Sequence, residues 1–136
     1  MMPSPPLVPV LVATLVVFVV GWLWYSPLLF FKPWMQLRGK DPAAAMTGKM
    51  PMGKLVVELV RCFAFSYLVA HLVVNGELHH VTSAIHLGVF YWVTFPVVML
   101  VGTVTWEDLN WKVAAIHAGE YLVKLLLIPI IIVVMQ

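Results

Sequence analysis

The sequence predicts an all-α integral membrane protein, a bundle of four helices. Three observations carry that prediction. Apolar residues make up 62% of the chain and charged residues only 10%, against roughly 45–50% and 25% in soluble domains. Four apolar stretches each reach the roughly 20 residues needed to cross hydrocarbon. The connections after the second and third stretches are short, so successive spans run antiparallel within one domain of 136 residues.

The totals also exclude. The net charge of +2, with no long basic tract, argues against a nucleic-acid partner and leaves the lipid bilayer as the expected one. A lone cysteine, Cys62, rules out an internal disulfide. Its apolar neighbours make it an ordinary buried thiol. The opening Met1-Met2-Pro3-Ser4-Pro5-Pro6 lacks a basic residue, so no cleaved signal peptide is expected there.

The first span is predicted over residues 7–31. Pro9 falls in its first turn, where a missing N–H costs little. Trp22, Trp24 and Tyr25 suit a membrane–water interface, and Ser26-Pro27 should bend or end the helix. Residues 32–54 form the longest connection and hold five of the eight basic residues: Lys32, Arg38, Lys40, Lys49 and Lys54. Within it, Asp41-Pro42 before three alanines reads as the cap and first turn of a short helix. Thr47-Gly48 and Pro51-Met52-Gly53 should break it again. Met46, Met50 and Met52 offer soft copper(I) ligands, or adaptable apolar contact at the membrane surface.

The second span is predicted over residues 55–74, with Glu58, Arg61 and His71 inside it. A tight turn through Asn75-Gly76-Glu77-Leu78-His79-His80 leads to a third span over residues 81–104, which holds His86 and a kinking Pro96. The fourth span covers residues 113–135, after a loop flanked by Trp106 and Trp111. Basic residues lie in the first and third loops and are missing from the second loop and both ends. Loops one and three are therefore expected in the cytoplasm and both termini outside.

The stretch Ile116-His117-Ala118-Gly119-Glu120-Tyr121-Leu122-Val123-Lys124 places polar chemistry inside the fourth span. On a helix, His117, Glu120, Tyr121 and Lys124 share one arc of roughly 100°. A charge at a helix centre costs about 2.5–3.5 kcal/mol and each Leu or Ile returns about 0.3–0.6, so this face must turn inward. At a similar depth lie Glu58 and Arg61, with Tyr25 at the inner end of the first span. Glu58 with Arg61 and Glu120 with Lys124 are at contact spacing for ion pairs. Cross-helix pairing, Glu58 to Lys124 and Arg61 to Glu120, satisfies the charges equally well. Ala115 and Gly119, on the opposite side of the helix, offer a small-residue surface for close packing.

These seven residues, Tyr25, Glu58, Arg61, His117, Glu120, Tyr121 and Lys124, are the candidate binding site. They read either as a pocket for a small polar solute or a proton, or as structural glue between helices. His71 and His86 form a second candidate, at similar depth on neighbouring helices, for a transition metal or haem. A satisfied core or interfacial role competes with it, and no cofactor is expected as the first reading. No HExxH, CxxC or nucleophile-elbow motif occurs, so an enzyme is not the expectation.

The exit of the first span, Gly21-Trp22-Leu23-Trp24-Tyr25-Ser26-Pro27, followed by Phe30, Lys32 and Trp34-Met35, resembles the bacterial family called domain of unknown function 1761. Trp111, leading into an Ala- and Tyr-containing last span, extends the resemblance over most of the chain. It implies a small four-span protein of the bacterial inner membrane and brings no activity. His71, His79, His80, His86 and His117 are no part of that pattern, so it lends them no role. The residues leave three functions open: a transporter or solute-binding protein, an accessory subunit of a larger membrane complex, or a metal- or haem-binding protein. Four short helices enclose little volume, which favours a homodimer.

Overall fold

A computed structural model describes residues 1–46, 48 and 50–136. Thr47 and Lys49, read above as part of a helix break and of the basic loop, lie outside the described residues. The elements are α1 (Leu7–Trp24), α2 (Phe31–Leu37), α3 (Pro42–Met46), α4 (Met52–Asn75), α5 (Val81–Trp92), a π-helical turn (Val93–Val97), α6 (Val98–Trp106) and α7 (Trp111–Val134). Four stretches are long and apolar enough to cross a membrane: α1, α4, α7 and the continuous run Val81–Trp106. The protein is an all-α, multi-pass membrane bundle.

Helix α1 stops at Trp24, short of the predicted residue 31. Ser26 explains the stop: its hydroxyl donates to the Leu23 carbonyl at 2.6 Å and accepts from the Leu28 N–H at 3.3 Å. Those bonds replace the helical ladder where Pro27 cannot donate to it. The chain then turns back, Phe30 N–H donating to Trp24 O at 3.0 Å, into the unforeseen helix α2. Gly39, at φ +69°, closes α2, and the Lys40 N–H reaches back to Met35 O at 2.9 Å. The short helix after Asp41 forms as its sequence indicates, the Asp41 carboxylate accepting from Ala43 N–H at 3.1 Å.

The third span carries its proline inside the π-helical turn, where Pro96 has no N–H to donate to the preceding turn. Helix α7 begins under an asparagine cap, Asn110 Oδ1 accepting from Lys112 N–H at 2.9 Å. It contains Pro129, which leaves the Leu125 carbonyl without its partner four residues on. Gly88 of α5 lies directly over that carbonyl, and any Cβ there would collide with it. The missing bond and the missing side chain together let α5 and α7 approach closely.

Helix α7 is the hub. It packs against α1, α4 and α5, and through its first turns against α2 and α6. Helices α1 and α4 also pack on each other, whereas α4 and α5 meet mainly through α7. The fully buried core lies on the side of the bundle where the chain starts: Val10, Ala13 and Val17 of α1, Ala70 and Val73 of α4, and Ile128 and Ile132 of α7. Asn75 ties that end together, its amide donating to Pro3 O at 3.1 Å and His71 O at 2.8 Å.

Candidate functional site

The polar face of α7 turns into the bundle. Glu120 and Lys124 are each only 5% exposed, with the Lys124 ammonium 2.5 Å from the Glu120 carboxylate. Gly21 of α1 makes room for them: a Cβ there would lie 3.3 Å from Glu120 Oε1 and 3.6 Å from Lys124 Nζ. A larger residue would push into the pair. Lys124 also lies 3.8 Å from Glu58 of α4, and Glu58 in turn holds Arg61 at 2.5 Å. Charges therefore pair along each helix, and among the described residues the bridge between helices runs from Lys124 to Glu58. Among the described residues Arg61 makes no ion pair with Glu120. The Cys62 thiol, one turn along α4, points at Glu58 Oε1 at 3.8 Å. It is buried and unreacted.

Tyr25 and His117 complete the layer. The phenolic oxygen is 2.5 Å from His117 Nδ1. Tyr25 sits just past the end of α1, where burial, and after it the Glu120 carboxylate, hold its hydroxyl above the ordinary value. It stays protonated. A neutral His117 with its proton on Nε2 accepts from that hydroxyl, whereas an imidazolium would donate to it.

Two tryptophans position α7 at this level. Trp24 Nε1–H donates to Ile116 O at 2.9 Å, and Trp92 Nε1–H donates to Ala118 O at 2.8 Å. One indole comes from the first span and the other from the third, so α7 is gripped on two sides beside its charges. The Trp24 ring lies over Gly119, where a Cβ would stand 2.7 Å from it. The small-residue surface predicted on α7 is thus half used: Gly119 receives Trp24, while Ala115 stays exposed beside α6.

The layer is not uniformly dry. A cavity of about 620 Å³ lies between the end of α1, the start of α4, the first half of α7, and the first connection. Tyr25, Glu58, Arg61, His117, Glu120 and Tyr121 line it, with Trp22, Phe31 and Trp34 among its apolar walls. Ala45, Met46, Met50 and Lys54 flank it on the side of the basic connection. Its floor is the Glu120–Lys124 pair. One turn further along α7 stands Ile128 and one turn back along α1 stands Val17, both without solvent exposure. The seven residues therefore lie together, in two parts: a paired, nearly buried floor and a half-open chamber in front of it. Six of the seven predicted residues line the chamber, and the seventh, Lys124, is bonded into its floor.

Tyr121 has a second neighbourhood. It also lines an apolar cleft of about 560 Å³ between α4 and the third span, whose walls include Phe65, Leu72, Phe95 and Met99. The ring therefore stands between a polar chamber and a lipid-like cleft. Ser66, buried on α4, is the side chain whose oxygen has no hydrogen-bond partner among the described residues.

The histidine candidate fares differently. His86 is exposed on α5 beside Ser83, Phe90 and Thr94. His71 is half-buried on α4, and His79 Nδ1 meets Gln136 Oε1 at 3.0 Å. Among the described residues, no three His, Cys, Asp or Glu side chains gather where they could hold a metal ion. Of the loop methionines, Met46, Met50 and Met52 are all exposed, and the first two border the chamber.

The family model described as "Protein of unknown function (DUF1761)" matches residues 8–133, which takes in all four spans and the chamber. The chain belongs to the DUF1761 family. No curated protein matches it, and neither does any solved structure. In this DUF1761 chain, the Trp24-Tyr25-Ser26-Pro27 exit has a definite structural use. Trp24 grips α7, Tyr25 meets His117, and Ser26 with Pro27 ends the helix so that both aromatic side chains reach inward. Sequence reading placed Trp24 at the interface and missed its hydrogen bond. Gly119, four residues from Ala115 and under the indole, was the available signal.

Proposed function

We propose that this protein binds or transports a small polar solute or a proton through its intramembrane charged layer. The observation that carries the reading is the half-open chamber floored by Glu120 and Lys124. A charged floor that served packing alone would need no such volume in front of it. In this reading Glu120 and Lys124 are the charged core, and Glu58 and Arg61 their partners. His117 is the titratable gate, and Tyr25 and Tyr121 contact whatever occupies the chamber. The dry core beyond Lys124 makes the described arrangement accessible from one side.

The basic first connection supports a cytoplasmic chamber mouth, with both termini outside, in a bacterial inner membrane. A homodimer fits the thin packing of the third span, of which only 11% of the apolar window is buried. That same exposed span supports a second reading, an accessory subunit docked on a larger membrane complex.

The test is flux in proteoliposomes carrying an internal pH dye. Wild-type protein should dissipate an imposed proton gradient or acidify with a co-transported solute. Glu58→Gln and His117→Phe, checked as folded by gel filtration, should lose that signal. Wild-type flux in both variants would end the transport reading. Stoichiometric recovery of an unrelated membrane subunit in mild detergent would favour the second reading.

A further inference from the structure

The charge cluster at the chamber carries more positive than negative charge, and its negative groups are already engaged. Lys54 and Arg61 line it against Glu58 and Glu120, and Lys124, bonded to both carboxylates from behind the lining, brings the cluster to an excess of one positive charge while His117 is neutral. Glu120 is committed to Lys124, and Glu58 is shared by Arg61 and Lys124. A cationic solute entering here would meet carboxylates that have partners and cations that repel it. Arg61 is the contrary case. Its side chain is 58% exposed, and among the described residues it is bonded to Glu58 alone, through Nη1. A guanidinium has five N–H donors in a planar fork, so one carboxylate leaves most of the fork free for a second acceptor.

The mouth adds to the same sign. Arg38 stacks over Trp34, 4.8 Å from the ring centroid, and Trp34 is part of the chamber wall. Lys54 lies on the rim. The rest of the wall is apolar and aromatic, with Trp22, Phe31 and Trp34 presenting ring surface. Such a wall holds the apolar body of a ligand while a few polar groups fix its head.

Resting on the binding reading above, we infer that the chamber's ligand is a small organic anion with an apolar body. Its carboxylate or phosphate head lies on Arg61 and Lys54, and its body lies against the aromatic wall. The free fork supplies charge-assisted hydrogen bonds, and the aromatic wall excludes water around them. Glu58 fixes the orientation of the guanidinium without neutralising all of its donors. Inorganic ions without an apolar body would gain only the first of these terms.

The experiment uses the full chain in detergent and two probes of nearly equal size, phenylacetate and phenethylammonium. Binding is read by quenching of tryptophan fluorescence, since Trp22 and Trp34 line the chamber, and by thermal stabilisation. Phenylacetate should bind saturably and more weakly as salt rises, and phenethylammonium should not. Arg61→Gln should weaken phenylacetate about 10- to 100-fold, the worth of a charge-assisted pair. Arg61→Lys should recover only part of that, because an ammonium lacks the fork. If Arg61→Gln does not fold, the exposed Lys54→Gln is read in the same way and should weaken phenylacetate several-fold. The proposal is overturned if phenethylammonium binds as tightly as phenylacetate, if neither saturates, or if the variants bind phenylacetate unchanged. Failure here with proton flux intact removes the anion alone, whereas intact binding without flux removes transport alone.

Discussion

The Lys124 ammonium lies 2.5 Å from the Glu120 carboxylate, inside a part of the bundle that excludes nearly all solvent. Breaking a buried pair by removing one member leaves the other charge uncompensated, at about 3–5 kcal/mol. The two members are not equivalent. Lys124 can still reach Glu58 at 3.8 Å when Glu120 is gone, whereas loss of Lys124 strands the buried Glu120 and leaves Glu58 to Arg61. Lys124→Met should therefore destabilise more than Glu120→Leu in detergent unfolding. The double variant Glu120→Leu with Lys124→Met should recover much of the loss. Strictly additive losses would show that the two charges do not act as a unit.

Trp24 tests the grip on α7. Trp24→Phe keeps an aromatic ring over Gly119 and removes the donor to Ile116 O. A loss of about 0.5–1.5 kcal/mol is expected in the unfolding midpoint. Trp92→Phe should behave alike through Ala118 O. The double variant should loosen the chamber floor, seen as faster hydrogen exchange at the start of α7. Unchanged exchange in the double variant would mean that packing alone positions the helix.

The glycines separate by what surrounds them. At Gly88 an added Cβ would run into the Leu125 carbonyl, a backbone atom that cannot rotate away. Gly88→Ala should cost at least about 1–3 kcal/mol, the usual range for overpacking. At Gly102 nothing lies within 4 Å of a built Cβ, so Gly102→Ala should leave stability unchanged or slightly raised. Equal effects at the two positions would contradict the close α5–α7 contact.

Ser66 makes the opposite kind of prediction. Its buried hydroxyl has no partner among the described residues, and an unsatisfied buried polar group costs about 1–3 kcal/mol. Ser66→Ala should raise the melting temperature in detergent. A fall would reveal that the hydroxyl is satisfied by a water or an occupant of the folded protein.

Much of this architecture is legible in the order of residues. Hydrocarbon tolerates only helices whose backbone groups are all satisfied, so four long apolar runs announce four spans without reference to any contact. The same cost forces Glu120 and Lys124 inward, because no lipid-facing rotamer relieves it. Other features were out of reach. The end of α1 at Trp24 depends on Ser26 bonding backward to Leu23, one of two outcomes that Ser-Pro permits. The partners of Trp24 and Trp92 lie 92 and 26 residues away, and no local periodicity encodes them. The sequence sets His71 and His86 at similar depth, yet depth along an axis says nothing about which way a side chain faces around it.

Chain chemistry alone specified a helical membrane bundle with a charged stretch turned to its interior, because the expense of placing charge in lipid is a property of residues and solvent. Folding in three dimensions selected the pairs: Lys124 between Glu120 and Glu58, Tyr25 on His117, and a chamber in front of a dry floor. Those choices depend on how helices rotate and approach one another. Gly21, Gly88 and Gly119 set the approach, each by the side chain it lacks where a neighbour must fit.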